Sequence, residues 1–332
     1  MDIKEFAHRL GFSPTTISHA LSGKRHVKEE TRQLILEKMR EWGYTPNINA
    51  QRMLNPTTQL FAFYSEVTDM LTDPYQLEVL RTFCRRLRPC GYDLILDLYR
   101  KDDHDRFASL KHRVAAHAID GAILIAENIV PELLAEISAP HSPAVYIHNK
   151  PAETPQANVG HLTVNSHDAY REVLLALRQL GRTEVLLLGR NDGDYVWEDC
   201  QAQLRECGLS LYGNQVIYSE EEETSAGAAV LMALLSPQRP SVVITRTHAQ
   251  ARGVFEKALQ LGIKVPEQLS IISHGDEKFA RTTSMRLATI SFDYQKLAER
   301  SIEMLFEMRE HPEVIQPAVV IQERFVPGGS LI

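Results

Sequence analysis

Thr15, Ser18, His19 and Ser22 fall at i, i+3, i+4 and i+7 within 11-GFSPTTISHALSGK-24. On a helix that spacing gathers hydroxyls and an imidazole on one face. None of these side chains has a stem long enough to serve only as a solubilising charge. Short donors and acceptors this close to the backbone suit a partner held at close range. On a different face Ile17, Ala20 and Leu21 make a narrow apolar stripe that can dock on a neighbouring element.

Other reactive side chains carry less. The residues of 101-KDDHD-105 are consecutive and fit a solvated turn, and 191-NDGD-194 lacks the further ligands and terminal Glu of a calcium loop. The acids of 220-EEEE-223 read as the approach to a helix. Cys84, Cys90, Cys200 and Cys207 show no CxxC spacing, as packed or idle thiols would, rather than a zinc site or disulfide framework. The chain has no GxxxxGK, GxGxxG, HExxH or GxSxG motif. The expectation is a protein that is not an enzyme, with no catalytic residue, no metal and no cofactor.

The opening stretch needs elements to hold it. Ser13 can cap its helix, and Pro14 suits the first turn, where a missing N–H costs nothing. Ile3, Phe6, Ala7 and Leu10 predict an amphipathic helix before it, ended by Gly11. Another follows from about residue 28 to Trp42, with Ile35, Met39 and Trp42 on one face and Gly43 as its stop. Lys28 is a poor N-cap, which Glu29 and Glu30 offset through the helix dipole. Residues 1–45 are therefore expected to form a compact all-α head. In 46–59, Pro46 and Pro56 bracket a segment too short to be a stable helix alone, a linker able to become helical when supported.

The 332-residue chain can hold a large core and more than one domain. Its net charge of −7 does not advertise nucleic acid, but the charge is unevenly spread. Residues 1–28 hold Lys4, Arg9, Lys24, Arg25 and Lys28 against Asp2 and Glu5, a small basic head on an acidic body. No signal core or membrane-length apolar run is present, so a cytoplasmic protein with no membrane partner is expected.

From residue 60 apolar runs such as 60-LFAFY-64, 121-GAILIA-126, 144-AVYIH-148, 184-EVLLLG-189, 241-SVVIT-245 and 269-LSIIS-273 alternate with helical patterns. That alternation predicts parallel sheets covered on both faces. The units are too numerous for one sheet, and 149-NKPAETPQANVG-160 is a plausible crossing between two lobes. The expected body spans 60–332, with a first lobe of about 60–158 and 293–321 and a second of about 159–292 and 322–332. A ligand cleft would then open at the carboxyl ends of the strands.

The segments 3-IKEFAHRLGFSPTTISHALSGK-24, 27-VKEETRQLILEKMREWGYTPN-47 and 50-AQRML-54, with 262-GIKVPEQLSII-272 and 287-LATISFDYQKLAERSIEML-305, resemble the LacI/GalR family of bacterial transcription repressors. The resemblance implies a helix-turn-helix head and a two-lobe body like a periplasmic binding protein. It implies a homodimer on a palindromic double-stranded DNA operator, with affinity set by a small-molecule effector between the lobes. Carried over position by position, Pro14, Thr15 and His19 fall where the family reads base edges, and Thr16, Ser18 and Ser22 where it meets phosphates. The family usually has arginine where His19 stands, so specificity at that base step should differ. The linker matches a hinge helix that enters the minor groove, with Asn47, Ala50, Met53 and Leu54 at its working positions. The family's leucine wedge falls on Met53, with Leu54 adjacent and either able to part a base step.

At the effector site the sequence departs from the family in four places. Thr247 and His248 replace Asn-Asp, Gly275 replaces a sugar-binding aspartate and leaves Asp276 nearby, Val196 or Trp197 replaces an arginine, and Asn165-Ser166 replaces Asp-Asn. The candidate effector residues are His148, Arg190, Asp192, Trp197, Thr247, His248, Asp276 and Phe292, for a sugar, a sugar derivative or another ligand. Two other readings stay open: a small-molecule binding protein with a vestigial head, and an α/β enzyme acting on a sugar or nucleotide.

Overall fold

The computed structural model describes residues 1–22, 27–45, 57–66, 74–100, 102–126, 129–150, 155–190, 195–220, 223–275, 286–291 and 293–331. The chain divides into two compact units, Met1–Gln59 and Leu60–Ile332.

The first unit contains α1 (Ile3–Leu10), α2 (Pro14–Ser22) and α3 (Glu29–Trp42). Asp2 caps α1 by accepting the Glu5 amide at 2.8 Å. Gly11 and Gly43 end α1 and α3 in the left-handed region, at φ 76° and 62°. Phe6, Ala7, Ile17, Ala20, Ile35 and Tyr44 make the core. Tyr44 stacks on Phe6 at 4.3 Å and Trp42 meets the same ring edge-on at 5.6 Å, closing the end of α3 over α1. Ile17 and Ala20 are the α2 residues in that core, the stripe expected from their spacing.

The second unit is a two-lobe α/β body. One sheet has the order β12-β5-β4-β3-β1-β2, built from β1 (Leu60–Glu66), β2 (Asp93–Tyr99), β3 (Gly121–Ile125), β4 (Ala144–His148), β5 (Val159–Asn165) and β12 (Val319–Gln322), every pair parallel. The other has the order β13-β11-β10-β9-β6-β7, from β6 (Glu184–Gly189), β7 (Ser210–Leu211), β9 (Val242–Thr245), β10 (Ser270–His274), β11 (Ala288–Ser291) and β13 (Arg324–Val326). Strand β8 (Ile217–Tyr218) also pairs with β6, and β13 runs antiparallel to β11.

Both faces of each sheet are covered, as the near-continuous apolar strands require. Phe61 and Phe63 enter one first-lobe core with α4 (Pro74–Leu87) and α11 (Tyr294–Glu310), while Ala62 and Tyr64 enter the other with α5 (Ala108–Ala115) and α6 (Pro131–Glu136). In the second lobe Val185 and Leu187 pack beneath α7 (His167–Gln179) and α8 (Tyr195–Glu206). Leu186 and Leu188 pack beneath α9 (Glu223–Leu235) and α10 (His248–Gln260).

The first crossing between lobes comes later than the sequence suggested. Gly160 pairs with Val145 and Leu162 with Ile147, so β5 belongs to the first sheet. The Pro/Asn-rich stretch before it has the composition of a linker, but Val159 and Leu162 complete the first-lobe cores. The chain crosses at Asn165–Ser166 and again at Glu323, which stands between β12 and β13, while β11 of the second sheet is followed in sequence by α11 of the first lobe. The Glu323 amide donates to the Asn165 carbonyl at 2.8 Å, joining two of the crossings.

Candidate DNA-reading helix and interlobe cleft

Helix α2 has one face fixed and one presented. Ile17 is fully buried and Ala20 nearly so, whereas Pro14 and Thr15 are exposed and Thr16, Ser18 and His19 half-buried. Ser13 is the cap the sequence suggested: its Oγ accepts the Thr16 amide at 3.0 Å and lies 2.8 Å from Thr16 Oγ1. The Thr16 hydroxyl is thus already engaged. Among the described residues, the side chains of Thr15, Ser18 and His19 make no hydrogen bond, leaving their donors and acceptors to an outside partner. Ser22 ends α2, with its side chain outside what is described. Asn47, Ala50, Met53 and Leu54 lie outside the described residues.

In the body, His148 and Asn149 stand at the carboxyl end of β4 in the first lobe, while Arg190, Arg246 and His274 stand at the carboxyl ends of β6, β9 and β10 in the second. A small cavity of about 120 Å³ lies at the first crossing, lined by Asn149, Asn165, Ser166, His167, Tyr195 and Asp199 among others. His167 Nδ1 is 3.0 Å from the Asp199 carboxylate, and Gln203 Nε2 donates to the same carboxylate at 2.7 Å. The cavity is smaller than the roughly 300–1,000 Å³ usual for ligand pockets.

The candidate effector residues have distinct surroundings. Thr247 caps α10, accepting the Gln250 amide at 3.2 Å. His248 Nδ1 lies 2.6 Å from Ser273 Oγ, and its ring covers Gly275, where a Cβ would sit 2.9 Å from His248 Cδ2. A side chain at 275 would require the His248 ring to shift. Trp197 is 1% exposed, packed in the second-lobe core against Tyr170 at 5.9 Å. Arg190 is half-buried at the end of β6. His148 Nε2 lies 3.4 Å from His161 Nδ1, and burial, then the His161 imidazole, push His148 down to about 4. Asp192, Asp276 and Phe292 lie outside the described residues.

Sequence reasoning missed a polar cluster behind these positions. His274 Nε2 meets Glu323 Oε1 at 2.7 Å, both side chains buried, while His274 Nδ1 lies 3.1 Å from Arg246 Nη1 and 3.2 Å from the Tyr170 hydroxyl. Arg246 and His274 stand in segments already notable for departing from the family. Glu323 is 49 positions from His274, and no local pattern connects them.

Residues 2–47 match the bacterial regulatory proteins of the lacI family, and residues 174–331 match a periplasmic binding protein-like domain. The HTH-type transcriptional repressor PurR of Pectobacterium carotovorum is 25% identical over 342 residues, spanning 99% of this chain and 98% of that protein. The PurR of Vibrio cholerae is 23% identical, spanning 95% and 96%. The lac repressor dimer bound to operator and the anti-inducer ONPF superimposes with a TM-score of 0.79 at 18% identity, over 100% of this chain and 99% of that one. A CelR–cellobiose complex superimposes with a TM-score of 0.69 at 18% identity, over 99% of each chain.

A helix-turn-helix head followed by a two-lobe periplasmic-binding-like body defines a DNA-binding regulator. The chain belongs to the LacI/GalR family of sequence-specific transcriptional regulators, and its body is the family's ligand-binding body. Regulators of this family are not enzymes. Among the described residues, no helix is long and apolar enough to cross a membrane.

Proposed function

We propose that the protein is a repressor that binds a palindromic operator as a homodimer and is modulated by a small molecule held between the lobes. Pro14, Thr15 and His19 would read base edges in the major groove, while Thr16, Ser18 and Ser22 meet phosphates. Residues 47–54 would fold into paired hinge helices, with Met53 or Leu54 wedged into the minor groove. The observation that carries this reading is α2 itself, with Ile17 and Ala20 locked into the head core and Thr15, Ser18 and His19 turned outward. Relatives named as repressors, and the lac repressor dimer on its operator, favour the same assignment.

The homodimer is supported by the edge of the first sheet. Along β2, Asp97 is buried and bonded to Arg113 and Ser109, while Leu96 and Leu98 are 47% and 37% exposed. On α4, Leu77 is 49% exposed between buried Gln76 and Glu78. Leucines outside and polar groups inside invert the usual pattern, as expected where a second copy covers that edge.

The cleft ligand would change operator affinity by shifting the lobes, a coupling of roughly 1–3 kcal/mol in typical cases. A sugar or sugar derivative is one candidate, given the CelR–cellobiose complex among the similar structures. Gly275 under the His248 ring differs from an aspartate at that place, so this ligand's contacts would differ too.

Selection from randomised duplexes tests the base-reading assignment. Wild type and His19→Arg should enrich sites that differ at one step of each half-site, because histidine and arginine offer different donor patterns to a base pair. Identical enriched sites would overturn it.

A further inference from the structure

The tautomer of His274 follows from its neighbours. A guanidinium carries N–H donors and no acceptor, so the 3.1 Å contact from Arg246 Nη1 requires a lone pair on His274 Nδ1. The ring proton therefore sits on Nε2 and is donated to Glu323 Oε1 at 2.7 Å. The Tyr170 hydroxyl, 3.2 Å away, shares the Nδ1 lone pair as a second donor. With a carboxylate behind it and a guanidinium in front, the neutral ring is held in one tautomer and orientation.

The ends of this chain of bonds belong to different parts of the body. Arg246 follows β9 at the cleft edge of the second lobe, His274 ends β10, and Tyr170 stands on α7. Glu323 stands in the last crossing, with its amide bonded to Asn165 in the first. The crossing segments are what must twist when two lobes change their relative setting. A buried, directional, charge-assisted bond on one of them restricts that twist more than apolar packing would.

We propose that Glu323, acting through His274, is a positioning residue that pins the interlobe hinge to the cleft edge of the second lobe, setting the angle between lobes and the placement of Arg246. This rests on the reading of the cleft as the regulatory site, since it gives the hinge a physical link to whatever occupies the cleft. Glu323 does not itself have to touch the ligand.

The test reads the interlobe distance in the full-length protein without DNA or ligand, so its outcome does not depend on finding either. Spin labels at Ala115→Cys in the first lobe and Glu172→Cys in the second, both exposed positions, report the separation by double electron–electron resonance. The exposed Cys84 and Cys90 are replaced by serine, and labelled chains are diluted with unlabelled ones. Glu323→Ala should broaden the distribution and shift its mean. Glu323→Gln, whose amide oxygen can still accept the His274 N–H, should restore the narrow distribution.

Removing one partner of a buried pair can prevent folding, so a second variant replaces both. His274→Phe with Glu323→Leu removes both partners of the buried pair, so neither is left buried without the other, and it removes the directional bond. It should fold and show the broadened distribution. A parent-like distribution in this double variant, or the same broadening in Glu323→Gln as in Glu323→Ala, would overturn the proposal. Failure to find a cleft ligand by thermal shift, with these distances changed as expected, would count against the regulatory reading alone.

Discussion

Ser13 Oγ accepts the Thr16 amide at 3.0 Å and touches the Thr16 hydroxyl at 2.8 Å, so one side chain both caps α2 and aims its first polar turn. Ser13→Ala should lower head stability by about 1 kcal/mol, the usual loss for an N-cap, measured by thermal unfolding of the full chain. It should also weaken duplex binding, because the cap holds the turn that carries Pro14, Thr15 and Thr16. Ser13→Asp, which can still accept the amide, should retain the stability.

The packing of α9 on α10 depends on Gly253. A Cβ there would lie 2.0 Å from the Glu223 carbonyl oxygen, which is backbone and cannot rotate away. Gly253→Ala should destabilise the body by about 1–3 kcal/mol, the range for overpacked sites, seen as a lower urea midpoint. The head transition should be unaffected, since the head is a separate compact unit with its own core.

The sign of one pH dependence follows from His148. Its folded value lies near 4, below the ordinary 6.5, because burial and His161 disfavour the charged ring. On acidification the unfolded chain takes up this proton first. The stability is fully present above about 6.5 and is lost as pH falls toward about 4. The contribution should be on the order of 2 kcal/mol, allowing for partial exposure of the site. Urea unfolding between pH 7.5 and 4 should show this slope in the parent and a shallower one in His148→Gln.

The exposed leucines of β2 give a test of assembly. Leu96→Arg with Leu98→Arg should leave the fold intact by circular dichroism, because neither side chain belongs to a core cluster. Sedimentation should show a dimer for the parent and a monomer for this variant, with at least about tenfold weaker binding to a two-half-site duplex, a loss of avidity. A dimer that survives both charges would place the interface elsewhere.

Much of the fold was legible because its signals are local. The stripe of Ile17 and Ala20, the stops at Gly11 and Gly43 and the apolar runs of β1, β3, β4 and β6 each act within a few residues. The polar face of α2 was legible for the same reason. The first crossing was misplaced because composition marks a linker, whereas sheet membership of β5 is settled by pairing with β4 and by cores that Val159 and Leu162 complete. Trp197 looked like a cleft residue by position, but it is core, since α8 turns it toward Tyr170. The His274–Glu323 bond had no sequence signal, because its partners are neighbours only once the last crossing is in place.

The most direct test of the account measures binding of the purified full-length protein to a duplex enriched from a randomised pool, against random competitor, over a series of salt concentrations. The account predicts a two-fold symmetric site bound in preference to competitor, with affinity falling linearly in log–log against salt as phosphate contacts release counterions. Equal binding to enriched and random duplexes at every salt concentration, with and without added metabolites, would contradict it.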